Sequence, residues 1–390
     1  MVIKDLAKKY EDYIIEQRRY LHTIPELSLQ EKNTTKKLVE ELEKMGMEVI
    51  TFSDYNGCIG VIKGGKPGKT VMLRADIDAL PVKEKTGLPF ASTNGNMHAC
   101  GHDNHMAIQL GTAKILTELK DELPGTVKLL FQSGEEVGIG SKYYVDNGYL
   151  DDVDAIYGAH IWSGTEAGKF SMEAGERMAS CDTFKITVTG VSAHGSAPNF
   201  GNDALYAAAS IVMNIQSFIS RRNNPLDAAV VTVGTINGGQ RFNIIANNIE
   251  MEGTTRAFNN DARNRIEGEL RKIVENTAIA LGVTAKLEYS YLTNPISNDN
   301  EMLNRIVHDA AVKLYGEDVL VPMTKVMGAE DFCHLEANVP GFFGFIGCYN
   351  EKLGTIYNNH SEFFDVDEST LHMASALAAQ FAYDFLNENK

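Results

Sequence analysis

The stretch FKITVTGV, Phe184 to Val191, alternates apolar and polar side chains with period two. That is the pattern of a strand with one face on a core and the other in water. It marks a change of texture near residue 183. Downstream, Leu205, Ala208, Val212, Ile215 and Ile219 recur at the spacing of one buried helix face. AAVVTVGTI and IEMEGTTRAF then read as two strands, about 260–280 as a helix, and TAKLEYSYL as a closing strand. The order β-α-β-β-α-β predicts a ferredoxin-like α+β domain over 183–293, an antiparallel sheet with helices on one face. FKITVTGV is expected at its exposed edge, a surface that proteins cover or pair.

Upstream the texture differs. Leu6, Tyr10, Tyr13 and Ile14 share one face of an opening helix, and a second helix over about 31–45 stops at Gly46. VIKGG, TVMLRAD, TVKLLFQ and DAIYGAHI are short apolar runs, with a helix carrying Ile108, Ile115 and Leu119 among them. Strand–helix alternation predicts an α/β layered domain with a mostly parallel sheet. After Pro295 the same texture returns, with a helix from about 299, the run FFGFIG and a helix from about 369. The expectation is one larger domain built from 1–182 and 294–390, with the smaller domain inserted in it.

Bulk properties narrow the function. At 390 residues the chain is long enough for two domains, and 44% hydrophobic with 23% charged residues is ordinary for a globular protein. A formal net charge of −16 makes the average surface repel nucleic acid and anionic lipid. Five widely spaced cysteines, at 58, 100, 181, 333 and 348, form no disulfide framework. The charged, amphipathic start has no apolar signal-peptide core, and no apolar run has the length of a membrane span. These features set the cytoplasm as the expected location.

Polar motifs follow several of the apolar runs: RADIDALP from Arg74, Gly134-Glu135-Glu136 after LLFQS, and His160 after AIYGA. Parallel α/β sheets build their sites outside the carboxyl ends of the strands, so these motifs are expected to converge. Met97-His98-Ala99-Cys100-Gly101-His102-Asp103-Asn104-His105 concentrates three histidines, a cysteine and an aspartate, a donor set suited to borderline divalent metals. The bland alternative is a polar helix start with a buried cysteine. Adjacent glutamates usually form a solvated surface. At a strand end they point different ways, so one can hold a metal while the other faces the substrate water. His160 and His360 are weak signals alone. His194, in GVSAHGSAP, sits on a turn that can aim it. His22, His308, His334 and His372 read as ordinary structural residues.

Taken together, HTIPELS from His22, RADIDALP, MHACGHD, FQSGEE, AHIWSG, SAHGSAP, GTINGGQRFNIIAN, GTTRAF, MGAEDF and NNHSEFF resemble the M20 metallopeptidase family. The resemblance is to its amidohydrolase branch, which acts on N-acyl amino acids, hippurate and auxin conjugates. It implies a two-metal catalytic domain with an inserted dimerisation lid. It implies five ligands, Cys100, His102, Glu136, His160 and His360, with Cys100 bridging two ions of Mn, Zn, Co or Ni. It implies Glu135 as general base, Asp76 as the partner orienting a ligand histidine, and His194 and Asn243 reaching in from the lid. Arg256 is a further candidate for the substrate carboxylate. The implied enzyme is a homodimer, or a tetramer, that cleaves the amide of a small N-acyl amino acid; a dipeptidase of the same fold and a non-catalytic metal binder are the rival readings. Ser133-Gly134 before the glutamates, Ser163 after His160-Ile161-Trp162, and Ala246 after Asn243-Ile244-Ile245 depart from the branch pattern. Every implied ligand and the base are nonetheless present.

Overall fold

The computed structural model describes residues 2–389. The chain forms two compact units. The first runs to Gly175 and resumes at Ser297–Thr324 and from Asp331 onward; the second is Glu176–Ile296 with Lys325–Glu330.

In the first unit a seven-stranded sheet runs in the order Glu48–Thr51, Gly57–Lys63, Pro124–Gln132, Lys66–Asp76, Ala155–Glu166, Gly341–Tyr349, Phe170–Ser171. The four strands Pro124–Gln132, Lys66–Asp76, Ala155–Glu166 and Gly341–Tyr349 are mutually parallel, and the outer pairings are antiparallel. Their apolar runs are continuous because both faces are covered. The helix His102–Glu118 is buried almost all round, not along the single face that Ile108, Ile115 and Leu119 suggest. It is wedged between the helices Glu11–His22 and Leu371–Glu388 and the strand Lys66–Asp76. The opening helix is broken at Tyr10 into Val2–Lys9 and Glu11–His22.

In the second unit four antiparallel strands lie in the order Thr284–Thr293, Cys181–Thr189, Asn248–Ala257, Ala229–Gly238. The helices Ala204–Arg221 and Asn260–Ala280 pack on each other and on this sheet, giving the β-α-β-β-α-β arrangement. Asp203 and Asn259 cap the two helices, each accepting from backbone N–H groups of the first turn.

Two expectations need correction. The strand that contains Phe184–Thr189 is central, hydrogen-bonded on both sides, and the edges are Ala229–Gly238 and Thr284–Thr293. The third strand fills the gap between the first and the second, and the fourth pairs along the other side of the first, so the first strand is enclosed. The first helix is also turned by about one residue. Ala204, Ala207, Ala208, Ile211, Ile215 and Phe218 are buried, while Leu205 is 51% exposed.

Candidate metal centre and catalytic carboxylate

The parallel register decides where the site forms. Asp76 lies opposite Gln132, and Arg74 opposite Gly158, so the chain leaves three neighbouring strands at one end of the sheet. Just past Gln132, Gly134 adopts φ +75, and a Cβ there would meet Leu29 Cδ2 at 2.7 Å. Only glycine fits that left-handed, crowded turn. It launches a single 3₁₀ turn, Glu135–Val137, which presents the two glutamates. Gly101, at φ +94, similarly starts the helix whose first residue is His102.

Side chains from four segments meet here. Cys100 Sγ lies 3.4 Å from His160 Nε2 and 3.2 Å from His360 Nε2. Glu136 Oε1 lies 4.0 Å from His102 Nε2 and 3.7 Å from His360 Nε2. Two donors bound to one tetrahedral zinc-like ion stand roughly 3.3–3.8 Å apart, given metal–ligand bonds of about 2.0–2.3 Å. Cys100–His102–His160 and Cys100–Glu136–His360 are two groups whose donor atoms lie within 4.8 Å of one another, and they share the thiol. Glu135 joins His102 and Glu136 in a third. His102 Nε2 and Glu136 Oε1 are buried without a hydrogen-bond partner. Orphaned atoms of this kind are costly unless an ion or other ligand satisfies them, so the residues present fit a metal centre.

The protonation states follow from burial and charge. Burial, with Glu136 beside it, pushes the Cys100 thiol well above its usual range. Burial pushes Glu136 up to about 7. Burial, reinforced by His105, holds His160 well below the ordinary imidazole value, and His360 is lowered by burial and by His102. Burial opposes the His102 imidazolium most strongly of any single influence, but Asp76, Cys100 and Asp78 together outweigh it and the ring is raised. The thiol and Glu136 must therefore lose protons when an ion binds.

Asp76 Oδ2 lies 3.6 Å from His102 Nε2, but the hydrogen bonds that hold the His102 ring are made with Asp78. His102 Nδ1 bonds to the Asp78 carbonyl at 3.0 Å and to Asp78 Oδ1 at 3.1 Å, and Asp78 Oδ2 accepts from the Glu136 N–H at 2.9 Å. Asp78 thus aims two of the implied ligands. Asp76 instead accepts from His105 Nδ1 at 2.5 Å and from Arg74 Nη1 at 2.8 Å. His105 Nε2 accepts from the Ile161 N–H at 2.8 Å, so both ring nitrogens are engaged. The i,i+3 spacing of His102 and His105 on one helix face was the available signal for this residue. His22 is buried between Asp103 and Glu84, in keeping with a structural role.

The second unit holds the other three expected residues. His194 is exposed, and its Nδ1 accepts from the Ser196 N–H at 3.1 Å, which leaves the proton of the neutral ring on Nε2. Asn243 lies beside it, its carbonyl accepting from the Gly195 N–H at 2.8 Å, and its Oδ1 is buried and unpartnered. Arg256 Nη1 donates to Thr254 and to the Thr255 carbonyl of its own strand.

A strand-end cluster of thiol, imidazole and carboxylate donors beside one further carboxylate defines the class: a metal-dependent hydrolase. The model of peptidase family M20/M25/M40 matches residues 72–384, and the chain belongs to that family, in its amidohydrolase branch of enzymes acting on linear amides. It is 38% identical to thermostable carboxypeptidase 1 of Saccharolobus solfataricus, over 99% of this chain and 98% of that protein. It is 36% identical to an N-acetyl-L-cysteine deacetylase of Bacillus subtilis, over 97% and 90%. The crystal structure of the Bacillus subtilis YXEP protein, described as a dinuclear metal-binding M20 peptidase, superposes with a TM-score of 0.87 at 34% identity and covers 97% of this chain and 99% of that one. No described helix is long and apolar enough to cross a membrane.

Proposed function

We propose that the enzyme hydrolyses the amide bond of N-acyl amino acids, with Glu135 as general base and two divalent ions held by Cys100, His102, Glu136, His160 and His360. The observation that carries this reading is the grouping of Glu135 with His102 and Glu136 beside the two donor groups that share Cys100. When bound, such ions acidify water and polarise a carbonyl. Glu135 would take the proton of the attacking water on its carboxylate and pass it to the leaving amine nitrogen. His194, with Nε2 as its donor, would face the developing oxyanion. Asn243 and Arg256 would hold the substrate carboxylate. Mn, Zn, Co and Ni all suit a Cys/His/Glu set. The enzyme is proposed to work in the cytoplasm as a homodimer, or a tetramer, assembled through the second unit.

The similarity to a deacetylase supports an acyl group on the substrate nitrogen. The similarity to a carboxypeptidase favours a second reading, release of the C-terminal residue of a short peptide. In both, the amine product is an amino acid. A metallo-dipeptidase differs, because its substrate carries a free α-amino group. Amine release from N-acetyl amino acids, hippurate, N-blocked dipeptides and free dipeptides separates these readings. Chelated protein should be inactive, and each of Mn²⁺, Co²⁺, Ni²⁺ and Zn²⁺ should restore activity to a different extent, with N-acyl amino acids turned over fastest. Turnover of free dipeptides alone would overturn the proposal, as would full activity in protein shown to be metal-free.

A further inference from the structure

His360 is one of two described non-glycine residues in the left-handed region, at φ +71. A side chain held there persists only where its surroundings over-determine it, and such positions gather at functional sites. The His360 N–H donates to the Ala99 carbonyl at 2.7 Å, which fixes the backbone on one side. The other side is fixed by Asn359.

The Asn359 carboxamide uses all four of its hydrogen-bonding positions. Nδ2 donates to the Cys100 carbonyl at 3.1 Å and to the Ile161 carbonyl at 3.2 Å. Oδ1 accepts from the Ser163 N–H at 3.2 Å and from the Ser163 hydroxyl at 2.9 Å. The orientation of the amide is forced, because two of its neighbours are carbonyls that only accept and one is an N–H that only donates. The Ile161 carbonyl also accepts from His160 Nδ1 at 2.6 Å. That bond keeps the proton on Nδ1 and leaves His160 Nε2 open toward Cys100. One side chain, carried by the residue next to His360, therefore bonds to the backbone of Cys100 and to the segment that fixes the tautomer of His160.

We propose that Asn359, with Ser163, is a positioning residue of the metal centre: it latches the three segments bearing Cys100, His160 and His360 and so sets how tightly ions are held. This inference rests on the reading of those three residues as ligands. It predicts that loss of the latch weakens metal binding before it weakens the fold.

The test uses full-length protein stripped of metal and titrated with Co²⁺ alone, following the thiolate-to-cobalt charge-transfer band and the visible d–d bands. Asn359→Asp keeps the acceptor toward Ser163 and loses both donors. It should raise the Co²⁺ midpoint about ten- to hundredfold, the range for changes to groups that orient metal ligands, and should alter the d–d envelope. Ser163→Ala keeps the N–H, removes one hydroxyl, and should raise the midpoint about two- to tenfold. Thermal unfolding of both metal-free variants should match wild type; if Asn359→Asp does not fold, Ser163→Ala decides. Wild-type midpoints and spectra in the folded variants would overturn the latch. Cys100→Ser separates the two claims. A thiolate band present in wild type, absent in Cys100→Ser and unchanged in the Asn359 and Ser163 variants leaves the ligand reading standing without the latch. No thiolate band in wild type would reject both.

Discussion

A carboxyl group cut off from water favours its protonated form, and Glu31 is such a group. It is buried, accepts from the Ser133 hydroxyl at 2.7 Å and from the Gly134 N–H at 2.9 Å, and burial raises it from 4.5 to about 7. Between those two values the folded chain holds a proton that the unfolded chain has lost. Stability from this group is therefore complete below about pH 4.5, falls as pH rises to 7, and is flat beyond. Glu31→Gln is neutral at every pH and should remove the effect. Urea unfolding at pH 5 and pH 8 should show wild type losing about 2–3 kcal/mol more than the variant over that interval. A difference between the two proteins that does not change with pH would contradict the assignment. The same side chain steadies the Gly134 turn that aims Glu135 and Glu136. None of this was legible in the sequence, because Glu31 and Ser133 meet only in the folded chain. The cluster that the structure brings together was legible, since Cys100 and His102 sit in a dense local motif and Glu136, His160 and His360 stand in motifs that match the family. Asp78 and Asn359 were not, because their partners are distant in sequence and an aspartate or asparagine in a loop carries no local mark of which backbone it will touch.

At the scale of elements, periodicity proved informative about faces and silent about neighbours. The alternation in FKITVTGV correctly marks a strand with one face on a core, yet the strand lies inside its sheet. Period two is the same at an edge and at a centre; only the pairing order distinguishes them. The helix Ala204–Arg221 shows a similar limit. Several positions on a helix surface are apolar, and small alanines at 204, 207 and 208 allow close packing that a hydrophobicity count assigns to the larger Leu205. Conversely, the helix His102–Glu118 packs almost all round, so the polar residues of its first half are buried. His105, Asp103 and Gln109 all hydrogen-bond internally. Burial of that helix is what turns a polar stretch of sequence into a fixed set of donors.

For the whole molecule, the proposed chemistry draws on both compact units, since Glu135 belongs to the first and His194 to the second. If the enzyme is a two-fold dimer and His194 serves its partner's site, two inactive variants can complement each other. Subunit exchange between Glu135→Gln and His194→Ala gives hybrids in which one site has both defects and the other has neither. Random exchange makes half the dimers hybrid, so roughly a quarter of all sites should recover activity. Hybrids verified by tagged subunits but without recovered activity would assign His194 to its own chain. The proposed chemistry turns first on Glu135, the carboxylate that is grouped with the donor set yet assigned to proton transfer. The measurement is metal content by elemental analysis together with kcat for Glu135→Gln, with Glu136→Gln alongside. Glu135→Gln should keep its full metal content while kcat falls about 10²–10⁴-fold, the contribution of a positioned general base, and Glu136→Gln should lose metal as well. Near-normal turnover in a fully metallated Glu135→Gln enzyme would contradict the assignment of Glu135.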